Sequence, residues 1–135
     1  MTTSSQRNLH RTEFASGRLV EFLRRPQSYP EVSNTVELIE THISWVFLTE
    51  RYAYKLKKPV RYEFLDFSTP TLRERACREE VRLNRRLAQG VYLDTIPITE
   101  SEGALRVGGD GDAVDWVVKM WRLPAGRCLD RLVAS

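Results

Sequence analysis

In Ile39-Glu40-Thr41-His42-Ile43-Ser44-Trp45-Val46-Phe47-Leu48 and Tyr52-Ala53-Tyr54-Lys55-Leu56-Lys57, side chains alternate in character instead of recurring every third or fourth position. Ile39, Thr41, Ile43, Trp45 and Phe47 alternate with Glu40, His42 and Ser44, and Tyr52, Tyr54 and Leu56 alternate with Ala53, Lys55 and Lys57. A period of two carried by aromatic and β-branched side chains is that of a pleated strand. Thr49–Arg51 is short and polar enough to turn one strand back on the next. Thr35–Val60 therefore predicts two or three antiparallel strands.

On the amino-terminal side, residues 1–15 sustain no apolar period and read as a flexible arm. Ser16 is placed to cap a short helix over Gly17–Arg25, striped by Leu19, Val20, Phe22 and Leu23 and stopped by Pro26. On the other side, Thr69 followed by Pro70 is a helix start, with a capping hydroxyl and then proline at the first helical position. That helix is predicted to run to about Ala88, where Gly90 ends it. Val91–Thr99, interrupted by Pro97, reads as an edge strand or a broken one. Ala104–Val107 and Ala113–Met120 flank Gly108-Gly109-Asp110-Gly111-Asp112, a hairpin signal. Its aspartates echo a calcium loop, but the remaining ligand positions are missing. The fold class is α+β: a twisted antiparallel sheet of about five strands, one long packed helix and a short amino-terminal helix.

A chain of 135 residues is one domain's worth, with 41% hydrophobic and 29% charged residues, which is neither a disordered nor a membrane composition. The longest uncharged apolar run, Ile43–Thr49, is far short of the ~20 residues that span a bilayer. Residues 1–10 lack the apolar core of a secretory signal. Cys77 and Cys128 have neither metal nor redox spacing, which points to free thiols in a cytoplasmic location and to no metal site. A net charge of +3 is too small to argue for nucleic acid by itself.

On a helical wheel of Thr69–Ala88, Leu72, Ala76, Cys77, Val81, Leu83, Leu87 and Ala88 share one arc. Arg75, Arg78, Arg82, Arg85 and Arg86 lie opposite, and Glu80 falls near the middle of the apolar arc. A carboxylate aimed at a core must be paired or protonated. Tyr54-Lys55-Leu56-Lys57-Lys58 offers three lysines as partners; Lys57 and Lys58 lie close to Pro59, whereas Lys55 sits mid-strand. A strand lysine held by a helix glutamate is the arrangement that grips the α- and β-phosphates of a nucleotide. A structural salt bridge, or a snorkelling lysine beside an edge-facing glutamate, accounts for the same pattern.

Thr41-His42-Ile43-Ser44-Trp45-Val46-Phe47-Leu48, Tyr54-Lys55-Leu56-Lys57-Lys58-Pro59-Val60 and Phe64-Leu65-Asp66-Phe67-Ser68 resemble the aminoglycoside-phosphotransferase-like family, which has a protein-kinase-like fold. Arg85-Arg86-Leu87 with Pro97-Ile98-Thr99, and Asp115-Trp116-Val117-Val118-Lys119-Met120, continue the match from roughly Val36 to Pro124. The branch is one in which such a domain is often followed by a P-loop ATPase domain. The resemblance implies a kinase amino-terminal lobe over residues 16–124, with 125–135 as hinge and the start of a truncated helix. It implies ATP as ligand, with Lys55 on phosphate, Glu80 paired to it, and Thr41–Ser44 as the phosphate loop offering His42 and Ser44. Met120, Trp121 and Leu123 would form the hinge at the adenine, with Trp45 and Trp121 flanking the pocket. The loop departs from the family in having no glycine.

In this family the catalytic aspartate and the Mg²⁺-binding aspartate lie in a second lobe. No His-Gly-Asp-type loop occurs here, and Ser135 falls where that lobe is expected to begin, so no catalytic residue is assigned and Mg²⁺ enters only if a second lobe is supplied. Three readings follow. One is a nucleotide-binding lobe. Another is a non-catalytic interaction module whose exposed apolar face meets a second copy, a carboxy-terminal lobe or a P-loop ATPase partner. The least favoured is a nucleic-acid surface on the arginine face, which Glu74 and Glu79 interrupt; pairs such as Glu74–Arg78 make a solvated helix face.

Overall fold

A computed structural model describes residues 15–87 and 90–122. Residues 15–23 are helical (α1), ending two residues before the predicted Arg25, and after extended Arg25 a separate 3-10 turn spans Pro26–Ser28. Three strands follow: β1 (Glu37–Glu40), β2 (Ser44–Leu48) and β3 (Tyr52–Lys57). A small ribbon of β4 (Arg61–Tyr62) and β5 (Leu65–Asp66) leads into helix α2 (Pro70–Leu87). The described chain then closes with β6 (Tyr92–Ser101), β7 (Ala104–Val107) and β8 (Asp112–Trp121).

The class is α+β, but the sheet has six strands in the order β1-β2-β3-β8-β6-β7, and β4-β5 stands apart as a second, two-stranded sheet. About five strands is thus an undercount. Every neighbouring pair is antiparallel.

β7 covers the outer side of β6 only over Ile98–Ser101, so Tyr92–Ile96 is edge-like, with β8 as its paired neighbour. The β6–β8 register shifts between Tyr92 and Asp94 and between Ile98 and Thr99. Pro97 is tolerated there for a local reason. Its carbonyl accepts from Gly108 N at 2.7 Å, so its nitrogen faces the β7 flank just beyond Ile98↔Val107, where the registered pairing begins. The β6–β7 turn places Glu102 and Gly103 at φ 52° and 80°, the left-handed pair that a tight hairpin requires. Gly108–Gly111 serves as the β7–β8 turn, and Asp112 begins β8. A Cβ on Gly111 would stand 2.6 Å from the Glu100 carbonyl oxygen, which explains the glycine.

Both faces of the sheet are covered. On one face Val46, Leu48, Ala53, Tyr92, Val118 and Met120 pack against Cys77 and Val81 of α2. On the other, Phe47, Tyr54, Leu56, Ile98 and Val117 pack against Leu19 and Leu23 of α1 and Tyr29. The segment after α1 is pinned by Glu31, whose carboxylate accepts from Tyr54 Oη at 2.6 Å and pairs with Lys119. Lys119 also lies 4.2 Å above the Tyr52 ring.

Helix α2 is rotated from the orientation its leucines predict. The buried stripe is Arg73–Cys77–Val81, while Leu83 and Leu87 are 45% and 84% exposed. The cause is charge: Arg73 and Glu80 both turn inward to partners on the sheet, and those contacts set the rotation. No helix among the described residues is long and apolar enough to cross a membrane.

Candidate functional site

Antiparallel register decides which side chains share a face, since residues directly opposite point the same way. Val46 is opposite Lys55 and Ser44 is opposite Lys57, so both lysines project from the α2 face beside Ser44. Both are withdrawn from solvent, with side chains 1% and 5% exposed. Buried ammonium groups require an anion, and α2 delivers one. Glu80 Oε2 is 3.2 Å from Lys55 Nζ, and Glu80 Oε1 is 2.6 Å from Lys57 Nζ. The expected Lys55–Glu80 pair is therefore present, but the closer partner is Lys57, which its place beside Pro59 hides in the sequence.

Burial by itself would raise the Glu80 carboxyl, yet Lys57 and then Lys55 outweigh it and hold its pKa below the ordinary carboxylate value. Lys55 moves down from its ordinary value, first because it is desolvated, with Glu80 opposing that shift and Lys57 adding to it. Cys77, on the buried stripe of α2, is pushed up to about 12 by burial. Tyr92 is raised mainly by burial and further by the charge of Glu80.

The turn joining β1 to β2 folds without glycine because Thr41 takes over its amides. Thr41 Oγ1 accepts from Ile43 N at 3.3 Å and Ser44 N at 3.0 Å, and Thr41 N donates to Ser44 O at 2.9 Å. His42 is exposed at the tip. Beyond the turn lies an open groove of about 890 Å³, lined by His42, Ile43, Lys58, Val60 and Tyr62 among others. It abuts the end of β3 where Ser44 and Lys57 are paired. The Ser44 hydroxyl is buried with no hydrogen-bond partner among the described residues. Neither that open groove nor a separate one of about 860 Å³ between α1 and β7 is lined by Lys55, Lys57 or Ser44.

Of the residues singled out from sequence, the fold gathers Lys55, Glu80 and Ser44 on one face, with Met120 on the same face opposite Ala53. His42 stands at the turn, outside that cluster. Trp121 is opposite Tyr52 and stacks on it at 4.7 Å, so it projects from the face away from Lys55, as does Trp45 opposite Leu56. Trp116 is the tryptophan on the α2 side, with the Arg78 guanidinium 5.2 Å from its ring. Leu123 lies outside the described residues, as do the arm over 1–14 and the segment 125–135.

A second buried ion pair was not foreseen. Arg73 Nε lies 3.1 Å and 3.2 Å from the two carboxylate oxygens of Asp115, and Arg73 Nη1 donates to Phe67 O at 2.8 Å. The Asp115 carboxyl is nevertheless raised, because burial outweighs the arginine. Arg73 falls at the centre of the helical arc, four residues before Cys77, so its signal was an inward charge of the same kind as Glu80.

No family model matches the chain, and no solved structure matches it. Uncharacterised proteins of Mycobacterium tuberculosis and Mycobacterium bovis are each 43% identical over 68 residues, which is 50% of this chain and 14% of the relative. The matched region thus covers about a seventh of the length of these relatives.

Proposed function

We propose that this chain is the nucleotide-holding amino-terminal lobe of an aminoglycoside-phosphotransferase-like kinase. It binds ATP and does not transfer phosphate by itself. The observation that carries this reading is the buried strand-to-helix pair Lys55–Glu80, on the same sheet face as Ser44, Ala53 and Met120. A helix laid across an antiparallel sheet is the arrangement the resemblance implies, and the withdrawn lysine has the charge and the held geometry to meet a phosphate oxygen. Mg²⁺ belongs to this scheme only where a second lobe supplies its carboxylates. A reducing, cytoplasmic setting fits the free thiol at Cys77.

Calorimetric titration of ATP, with and without Mg²⁺, into the purified chain tests the reading. Calorimetry suits it better than tryptophan emission, since Trp45 and Trp121 project from the other face. Saturable binding that weakens about tenfold or more in Lys55→Ala is expected. A flat trace at millimolar ATP overturns it. The second reading, an interaction module, is favoured by Phe64 and Leu87, which are 93% and 84% exposed. A flat trace from a chain that sediments as a dimer would support that one.

A further inference from the structure

The outer edge of β7 is open, because β7 ends the sheet and has β6 as its neighbour. Which backbone groups face that edge follows from the β6–β7 turn. With Glu102-Gly103 as a two-residue loop, Ser101 and Ala104 exchange hydrogen bonds, and Gly108 N donating to Pro97 O keeps the same alternation at the far end. Leu105 and Val107 therefore turn their N–H and C=O groups away from β6, and no described residue takes them up. Their side chains lie on the α1 face, whereas Arg106 points to the other. Beside this edge runs the groove of about 860 Å³, walled opposite β7 by α1 and the Pro26–Ser28 turn. Its walls are fixed in place. Arg18 pairs with Glu100 and donates from Nη2 to Gly103 O at 2.8 Å, tying α1 to the β6–β7 turn, while the Ser28 hydroxyl donates to Phe22 O. Two further cations of the lining, Arg25 and Arg106, are exposed and have no carboxylate partner among the described residues; Glu21 is the acidic residue of the lining.

We infer that the β7 edge and its groove dock an acidic, extended segment of a partner protein, which adds to the sheet as a further strand. Such a segment takes up the outward groups of Leu105 and Val107, as in strand addition to an exposed sheet edge. Directly opposed strand residues point the same way, so the partner residues opposite Leu105 and Val107 are apolar, and the one between them, opposite Arg106, is a carboxylate. Arg25 is left for a second carboxylate. A second copy of this chain fits poorly. The antiparallel register that satisfies Leu105 and Val107 in both chains sets Arg106 opposite Arg106, and like charges so placed are destabilising. A nucleic acid has no peptide groups for the edge, so charge alone would hold it. The docking site goes beyond the nucleotide reading, since the groove shares no lining residue with the Lys55–Glu80 pair.

The test follows a fluorescein-labelled synthetic peptide of alternating valine and glutamate by anisotropy, on wild type, Arg106→Glu and Arg25→Ala. An alternating valine–lysine peptide and poly(U) serve as comparisons, and amide exchange is read by NMR. Both arginines are exposed, so either replacement leaves the fold intact. The glutamate peptide is expected to bind saturably and to slow exchange at the Leu105 and Val107 amides. Its affinity should fall about tenfold or more in Arg106→Glu and several-fold in Arg25→Ala. The lysine peptide is expected not to bind wild type and to gain affinity for Arg106→Glu. Absence of binding at millimolar glutamate peptide overturns the inference, as does binding that Arg106→Glu leaves unchanged. Tighter binding of poly(U), without protection of those amides, assigns the arginines to nucleic acid and overturns it too. So does protection already present without peptide, through a second copy where it depends on concentration and through residues 1–14 where it does not.

Discussion

The sharing of Glu80 between two lysines has a consequence for stability that can be worked through. Replacing either lysine alone by methionine leaves the carboxylate one ammonium partner, and removes a buried charge whose desolvation was only partly offset. Each single variant should therefore lie within about 1 kcal/mol of wild type. Replacing both strands Glu80, whose side chain is only 13% exposed. The carboxyl then escapes the cost of a buried lone charge by taking up a proton. From its ordinary value of 4.5, protonation at pH 7 costs about 1.36 kcal/mol per pH unit, or about 3.4 kcal/mol in all. That caps the loss in the double variant. With about 2.1 cal/mol/K of unfolding entropy per residue, 135 residues convert it into a fall in Tm of about 12 °C.

The pH dependence has a definite sign. In wild type the Glu80 pKa is depressed on folding, so its contribution is full above 4.5 and lost as pH falls through the folded value. In the double variant the folded pKa is raised instead, so the penalty grows as pH rises above 4.5. At pH 5 the same arithmetic leaves about 0.7 kcal/mol. Urea denaturation of the four proteins at pH 7 and pH 5, with unchanged m-values, gives the coupling energy directly. Additive effects of the two lysines, or a double-variant loss equal at both pH values, would refute the shared-carboxylate account.

Arg73→Met leaves Asp115 buried opposite an apolar side chain and deprives the Phe67 carbonyl of its donor, which should cost about 3–5 kcal/mol by chemical denaturation. Arg73→Met combined with Asp115→Asn should recover part of that, and a loss below 1 kcal/mol in the single variant would show the pair to be dispensable. In Cys128→Ser, where Cys77 is the remaining thiol, iodoacetamide at pH 8 should leave the folded protein unlabelled by mass spectrometry and label it fully in denaturant. Cys77 is fully buried and its pKa is pushed to about 12, so rapid native labelling would contradict the packing of α2.

The parts of this structure legible in the sequence are those where a period repeats. β2 and β3 each alternate over five or six residues, and their faces follow from that alone. The Lys55–Glu80 pair was legible because a carboxylate on an apolar arc demands a cation. Lys57 was among the three lysines offered but was passed over for its nearness to Pro59, although the same alternation puts it on the face of Lys55, and its pairing with Ser44 keeps it in β3. Rotation of α2 was misjudged by weighting Leu83 and Leu87 above Arg73. In this helix two buried ion pairs decide the orientation, and hydropathy alone does not register them. β4 and β5, with two residues each, are too short for any period to show.

The place of β8 bears on how the chain comes to be folded. Although it is the last described strand in the chain, it lies between β3 and β6, and these two have no pairing with each other. A nascent polypeptide that has emerged only as far as β7 holds two unconnected pieces: the β1-β2-β3 meander and the β6-β7 hairpin. Each displays an open strand edge rich in aromatic and β-branched side chains, which is the kind of edge that recruits other chains. The sheet becomes continuous only when residues 112–121 slot into that gap. Assembly of this domain is therefore dominated by contacts remote in sequence, and premature release from the ribosome is the stage at which it is most exposed to aggregation.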